Sequence, residues 1–240
     1  HCHCLPGFDD GPEDLKQAVK LCKSLVEDGI ETVVAAPHVL GGFDGNCDAE
    51  DIRRAVAELN QALDKQQIPL KVLPGAEVRL DERIESLLDN GVILTVADGS
   101  FLLLELLDQV LIDISSLLIS LRQKNIQCII VHPERCSYLA KAPGIIKKWL
   151  SLGAVLQVTA ASLLGRGYLG YYIKDFAWSL VESGQVSIIA TDAHDTGERK
   201  AMMTAAYNAI STRLSPEIAE MLCIKNPRRV IEAKKPLTIT

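Results

Sequence analysis

The chain has 240 residues, 48% of them hydrophobic, so it can bury one substantial core. Its formal net charge of −6 denies it the electrostatic grip that nonspecific nucleic-acid binding needs. The longest apolar stretch, Val110 to Leu121, is interrupted by Asp113 and is too short to span a bilayer, which argues against membrane insertion. Seven cysteines, several set in apolar segments (Cys22, Cys128, Cys223) without framework spacing, point to reduced thiols and a cytoplasmic location. No linker, repeat or low-complexity tract divides residues 1–240, which reads as a single domain.

In chain order, His1-Cys2-His3-Cys4 reads as extended, with His1 and His3 on one face and the two cysteines on the other. A strand ending at His1 needs residues before it, so the natural chain is expected to continue upstream by a few apolar residues. Asp10 stands just before Gly11-Pro12 at a helix start, where it serves either as an N-cap or as a metal ligand. Helical spacing runs from Leu15 to Val26 and closes at Asp28-Gly29. Thr32 to Ala36 is a buried strand ending in Pro37-His38; a Gly-rich loop and a helix carrying Ile52, Val56, Leu59 and Leu63 follow.

The next strand begins at Lys71 and runs through Pro74-Gly75-Ala76 to Glu77. After a short helix over 82–90, Phe101 to Leu104 runs into Glu105. Helix 114–124 precedes the strand Cys128 to Val131, which delivers His132-Pro133-Glu134-Arg135. Helix 145–152 leads to the strand Ala154 to Val158, and helix 175–183 to the strand Val186 to Ala190, which yields Thr191-Asp192-Ala193-His194. Helices over 198–214, 217–222 and 227–233 complete the chain. Continuous apolar strands alternating with amphipathic helices predict an α/β fold with a parallel sheet, closed into a seven-stranded barrel, with an open doubly wound sheet as the alternative.

In such barrels the chemistry collects at the carboxyl ends of strands, and there lie all five histidines, His1, His3, His38, His132 and His194, with Glu77, Glu105 and Asp192. Together with Asp10 these exceed what one ion takes, so two or three divalent metals are implied, with Glu77 as the bridging carboxylate. Nitrogen and oxygen donors without thiolate suit Mn, Fe or Zn. Arg135 and Arg199 lie near His132 and His194 in the sequence; taken alone, Arg135 suits a surface pair with Glu134, and Arg199 a helix-surface charge. One cysteine-nucleophile arrangement exists formally, Cys47 to Arg53. It is rejected because Asp48, Glu50 and Asp51 read as the first turn of a helix and would repel a dianion.

His1-x-His3 with Asp9-Asp10-Gly11, Ala36-Pro37-His38, Pro74-Gly75-Ala76-Glu77, Leu104-Glu105, His132-Pro133-Glu134-Arg135 and Asp192-Ala193-His194 resemble the polymerase and histidinol phosphatase (PHP) superfamily. Within it, the chain is similar to the manganese-dependent protein-tyrosine phosphatases of bacterial capsule and exopolysaccharide loci, down to the closing Asn226-Pro227-Arg228-Arg229. The resemblance implies a distorted (β/α)7 TIM-like barrel with three metals, manganese foremost. His1, His3, Glu77 and Asp192 would hold one, Glu77, Glu105 and His132 the second, and Asp10, His38 and His194 the third. It also implies phosphate-clamping roles for Arg135 and Arg199, and a phosphotyrosine protein, a bacterial tyrosine autokinase, as substrate. Asp195, Cys136 and the lack of a proline soon after Arg199 depart from the pattern. A small-molecule phosphatase of the histidinol-phosphatase type and a noncatalytic metal-stabilised module are the competing readings. The basic tail Arg228, Arg229, Lys234 and Lys235 reads as a solvated helix face, or as a contact for a partner or for another subunit in a homo-oligomer.

Overall fold

Strands and helices alternate in the computed structural model, which describes residues 1–45, 48–167 and 170–238. The strands are β1 (Thr32–Val34), β2 (His38–Val39), β3 (Lys71–Leu73), β4 (Glu77–Arg79), β5 (Phe101–Glu105), β6 (Gln127–Val131), β7 (Val155–Thr159) and β8 (Val186–Ala190). Between and after them lie helices α1 (Leu15–Glu27), α2 (Ala49–Lys65), α3 (Ile84–Asp89), α4 (Ser115–Gln123), α5 (Ser137–Lys141), α6 (Pro143–Ser151), α7 (Ala160–Leu163), α8 (Gly170–Glu182), α9 (Met203–Arg213), α10 (Pro216–Glu220) and α11 (Asn226–Ile231). Among the described residues, no helix is long and apolar enough to cross a membrane.

Every ladder is parallel. β1 pairs with β3 in a two-stranded sheet, and the other six strands follow the order β2-β4-β5-β6-β7-β8. The ladders therefore form two sheets rather than one ring of seven strands; the parallel α/β architecture stands, and closure does not follow from the ladders alone. The division has a local cause. Pro74 cannot donate to a ladder, so the run from Lys71 to Glu77 splits into β3 and β4. In the preceding segment β1 stops at Val34, short of the Ala36 expected from the sequence, and His38 after Pro37 opens another strand that sequence periodicity did not announce, placing His38 opposite Glu77 in register.

Both faces of the six-stranded sheet are apolar, as buried parallel strands require. On β5, Leu102 and Leu104 pack into the main core with the covering helices, whereas Phe101 and Leu103 join Ile129, Val131, Val155 and Ile188 in a second cluster. Side chains alternate along a strand, so the second face continues from Leu103 to Glu105, from Val155 to Gln157 and Thr159, and from Ile188 through Ala190 towards Asp192. Each column thus changes from apolar to polar at the carboxyl end.

The segment His1 to His3 lies between the last strand and the first. Cys2 N–H donates to the Val34 carbonyl at 3.1 Å and Ala36 N–H to the Cys2 carbonyl at 2.9 Å; on the other side His3 N–H donates to Ala193 at 2.9 Å and Asp192 N–H to His1 at 3.0 Å. Cys2 and Cys4 are buried in the main core, opposite the imidazoles, as alternation predicts. The cap of α1 is Asp14, which accepts from Gln17 N–H at 2.8 Å, so Asp10 is not the N-cap. Cys47 lies outside the described residues; downstream, Asp48 caps α2 and Arg53 pairs with Glu50 and Asp98.

Candidate metal centre

All nine side chains anticipated as metal ligands meet in one cluster, Glu105, His132, Asp192 and His194 at or just beyond the carboxyl ends of β5, β6 and β8, Glu77 and His38 at the starts of β4 and β2, and His1, His3 and Asp10 from the segment before α1. Glu77, fully buried at the start of β4, is the hub: its Oε1 meets His132 Nε2 at 2.6 Å, and its Oε2 faces His3 Nε2 at 3.1 Å, His38 Nδ1 at 3.2 Å and His1 Nε2 at 3.4 Å. Asp192 Oδ1 lies 3.4 Å from His3 Nε2 and 3.7 Å from His1 Nε2. Asp10 Oδ1 faces His194 Nε2 at 3.3 Å and His38 Nε2 at 3.6 Å, and Glu105 Oε2 stands 3.8 Å from His38 Nδ1. Three overlapping donor groups result: His1, His3 and Glu77; His38, Glu77 and Glu105; and His3, Asp10, His38 and His194.

Backbone geometry at two strand ends serves this convergence. His132 (φ 33°) and Asp192 (φ 52°) adopt the left-handed conformation, which turns the chain abruptly after β6 and β8. That conformation costs a non-glycine residue about 1–3 kcal/mol and persists where its surroundings enforce it. Gly11 has no such freedom of replacement. A Cβ there would lie 2.5 Å from the His3 carbonyl oxygen, which accounts for the glycine after Asp9-Asp10.

The arrangement fits cations better than hydrogen bonds. Glu77 Oε2 and Asp192 Oδ1 are buried and have no hydrogen-bond partner, although such acceptors are nearly always satisfied. The Nε2 atoms of His1 and His3 are 3.2 Å apart, close to the separation of about 3 Å expected for two nitrogens bound to one ion at about 2.1 Å and near a right angle. Burial would raise the carboxyls of Glu77 and Asp192, but His132 and His3 hold Glu77, and Arg135 with His3 holds Asp192, well below the usual carboxylate range. Burial and the neighbouring Glu77 charge push Glu105 up to about 7. Burial lowers His38 and His194, favouring neutral imidazoles there, whereas at His3 and His132 the neighbouring carboxylates outweigh burial and raise the imidazoles.

A ring of supporting groups was not anticipated. Asp9 Oδ2 accepts from His3 Nδ1–H at 2.6 Å and from His38 N–H at 3.0 Å, the Gln157 amide meets His1 Nδ1 at 2.7 Å, and His194 Nδ1–H donates to the Asp192 carbonyl at 2.9 Å. Arg79 Nη1 donates to Glu105 at 2.6 Å. Two signals were available: Asp9 stands beside Asp10 and the sterically required Gly11, and Gln157 is a polar residue inside an otherwise apolar strand.

The two arginines flank the cluster from different sides. Arg135 donates to Asp192 Oδ2 rather than to Glu134, which is itself buried and accepts from Thr159 N–H at 2.9 Å. Arg199 Nη1 donates to Asp10 at 2.5 Å and its Nη2 meets His194 Nε2. Neither is a free surface charge.

Fold and centre together define a parallel α/β protein with several imidazole–carboxylate donor groups at its strand ends. The capsular polysaccharide synthesis CpsB/CapC family model matches residues 1–232, and the chain belongs to that family. It is 33% identical over 223 residues to the tyrosine-protein phosphatase YwqE of Bacillus subtilis (strain 168), covering 92% of this chain and 87% of the relative. It is also 23% identical over 235 residues to the tyrosine-protein phosphatase CpsB of Streptococcus pneumoniae, covering 96% of each. Among solved structures it superposes with a TM-score of 0.94 and 30% identity, over 100% of this chain and 96% of the other, on a chain from crystal structures of YwqE and CpsB, described as unique metal-dependent tyrosine phosphatases.

Proposed function

We propose that this chain is a metal-dependent phosphomonoesterase that removes phosphate from phosphotyrosine on a protein, with a bacterial tyrosine autokinase of capsule or exopolysaccharide synthesis as its substrate. The observation that carries the reading is the pair of orphaned buried acceptors, Glu77 Oε2 and Asp192 Oδ1, facing the His1 and His3 Nε2 atoms beside two arginines. His1, His3, Glu77 and Asp192 would hold one cation, Glu77, Glu105 and His132 a second, and Asp10, His38 and His194 a third, with Glu77 shared. Manganese is the metal proposed, with iron or zinc as alternatives. The fold proposed to carry them is one distorted seven-stranded barrel, domain 1–240, in which the His1–His3 hydrogen bonds to Val34, Ala36 and Ala193 join the two sheets. A cytoplasmic location accords with the free cysteines among the described residues.

When bound, divalent cations supply an activated water nucleophile at neutral pH and neutralise charge on the phosphoryl group. The chain's own residues do the rest. Asp9, Gln157 and the Asp192 carbonyl hold the far nitrogens of His3, His1 and His194, so their near nitrogens face the centre. Arg135 and Arg199 approach from the Asp192 and Asp10 sides and present fixed guanidinium donors to phosphoryl oxygens. Tyrosine, with a pKa of about 10, leaves with less protonation than a serine alkoxide needs.

The test is metal analysis of the purified protein with a phosphotyrosine-peptide assay. Activity should vanish with chelator, return with manganese and survive thiol alkylation; activity lost to alkylation but indifferent to chelator would overturn the reading. Turnover of amino-alcohol or sugar phosphates far above phosphotyrosine would move the substrate to small molecules. Arg135→Ala should lower kcat/KM about a hundredfold, the scale of removing one preorganised donor, while manganese content is retained.

A further inference from the structure

A narrow crevice beside the centre is lined by Arg135, Arg166, Asp192, Arg199 and Lys200. Two of its cations have partners in the cluster, Arg135 on Asp192 and Arg199 on Asp10. Arg166 and Lys200 are exposed and, among the described residues, form no ion pair. In a chain whose net charge is −6, two uncommitted cations at the mouth of a site that already holds two arginines are a local excess.

Both are mounted on constrained backbone. Arg166 follows α7, which continues directly from β7; Arg166 N–H donates to the Ala161 carbonyl at 2.9 Å and Gly165 N–H to Ser162 at 3.2 Å. Gly165 takes a left-handed φ of +67°, and a Cβ on Gly170 would lie 2.8 Å from the Gly165 carbonyl, so these two glycines approach closely. Lys200 follows a turn in which Asp195 Oδ1 accepts from Gly197 N–H at 2.6 Å and Arg199 N–H at 3.1 Å. Loops after two different strands thus deliver unpaired charge to one crevice.

We propose that Arg166 and Lys200 bind a second anionic group on the substrate, next to the phosphotyrosine, and so select peptides that carry an acidic residue or another phosphotyrosine close by. The proposal rests on the phosphatase reading and concerns the selection of substrate, since Arg135 and Arg199 already serve the phosphate that is removed. Exposed ion contacts contribute little singly, so the pair together should matter about tenfold in KM.

The manganese-loaded full chain and its R166A/K200A double variant would be assayed on p-nitrophenyl phosphate and on three phosphotyrosine peptides, with neutral flanks, with aspartate flanks and with a second phosphotyrosine. The unaltered chain should show about tenfold lower KM on one or both anionic peptides than on the neutral one, an advantage that shrinks as salt rises. The double variant should lose that advantage while turning over p-nitrophenyl phosphate at the same rate. An advantage for the doubly phosphorylated peptide alone would assign the crevice to phosphate, and one for both to anions in general. Equal KM on all peptides, or a proportional loss on p-nitrophenyl phosphate in the variant, overturns the proposal. Fluorescence-anisotropy binding of the same peptides separates the two readings: flank-dependent binding without turnover would sink the phosphatase reading and keep the crevice, and flank-independent binding would sink the crevice.

Discussion

The hydrogen on the far nitrogen of each imidazole decides what the near nitrogen can offer a cation. At His3 the far proton goes to Asp9, leaving the Nε2 lone pair directed at the centre, and at His194 it goes to the Asp192 carbonyl, leaving an Nε2 lone pair that the Arg199 guanidinium meets beside Asp10. At His1 the partner is the Gln157 amide, whose oxygen must face Nδ1–H for the same outcome. Gln157→Leu should therefore weaken manganese binding by about tenfold to a hundredfold, read by calorimetric titration, with the far-ultraviolet circular dichroism unchanged; unaltered affinity would show that His1 needs no such anchor. Gly11→Ala should cost roughly 1–3 kcal/mol, because its new methyl meets the His3 carbonyl, and should reduce metal content together with the denaturation midpoint. The donor residues themselves were legible because imidazoles and acids recur at strand ends. Their anchors left only a hint, Asp9 beside Asp10 and Gln157 inside an apolar strand, because which side chain meets the second nitrogen depends on contacts across the centre that no spacing encodes.

Short strands here depend on side chains from elsewhere. The edge of β3 is covered by Asn60 of α2, whose Nδ2 donates to the Val72 carbonyl at 2.8 Å while Val72 N–H donates to Oδ1 at 3.0 Å. Replacing Asn60 with Ala leaves both backbone groups without these partners and should destabilise the chain by about 2 kcal/mol in urea denaturation, with metal content unaltered. A shift below a few tenths of a kcal/mol would mean that water replaces the amide at no cost. The split at Pro74 could be read from proline's missing N–H, whereas β2, only two residues long, offered no period to count. Helix α9 begins at Met203 rather than near Glu198 for a reason no local pattern contains. Asp28, from the far end of α1, accepts from Met203 N–H at 2.5 Å and Thr204 N–H at 3.3 Å, while the turn at Asp195 holds the preceding residues out of the helix.

At the scale of the molecule, cations held at the proposed centre would bind the folded chain and have no equivalent site in the unfolded one, so occupancy would add stability by mass action. At a hundredfold excess over the dissociation constant this amounts to about 2.7 kcal/mol. Chelator should lower the melting temperature and manganese restore it; an identical melt with and without chelator would show that the donor groups hold no cation. The order of motifs along the chain made the overall class legible. How the ends of the sheet are joined was not, since that depends on backbone hydrogen bonds made by His1, Cys2 and His3 to residues near both Val34 and Ala193.

That same threading has a consequence for biosynthesis. Cys2 is bonded to a carbonyl 191 positions later, so a nascent chain must expose everything from His1 to Ala193 outside the ribosome before the His1–His3 segment finds its seat. Catalytic competence is then acquired in one late event, and a fragment interrupted before Ala193 would carry eight of the nine donors yet be unable to organise them.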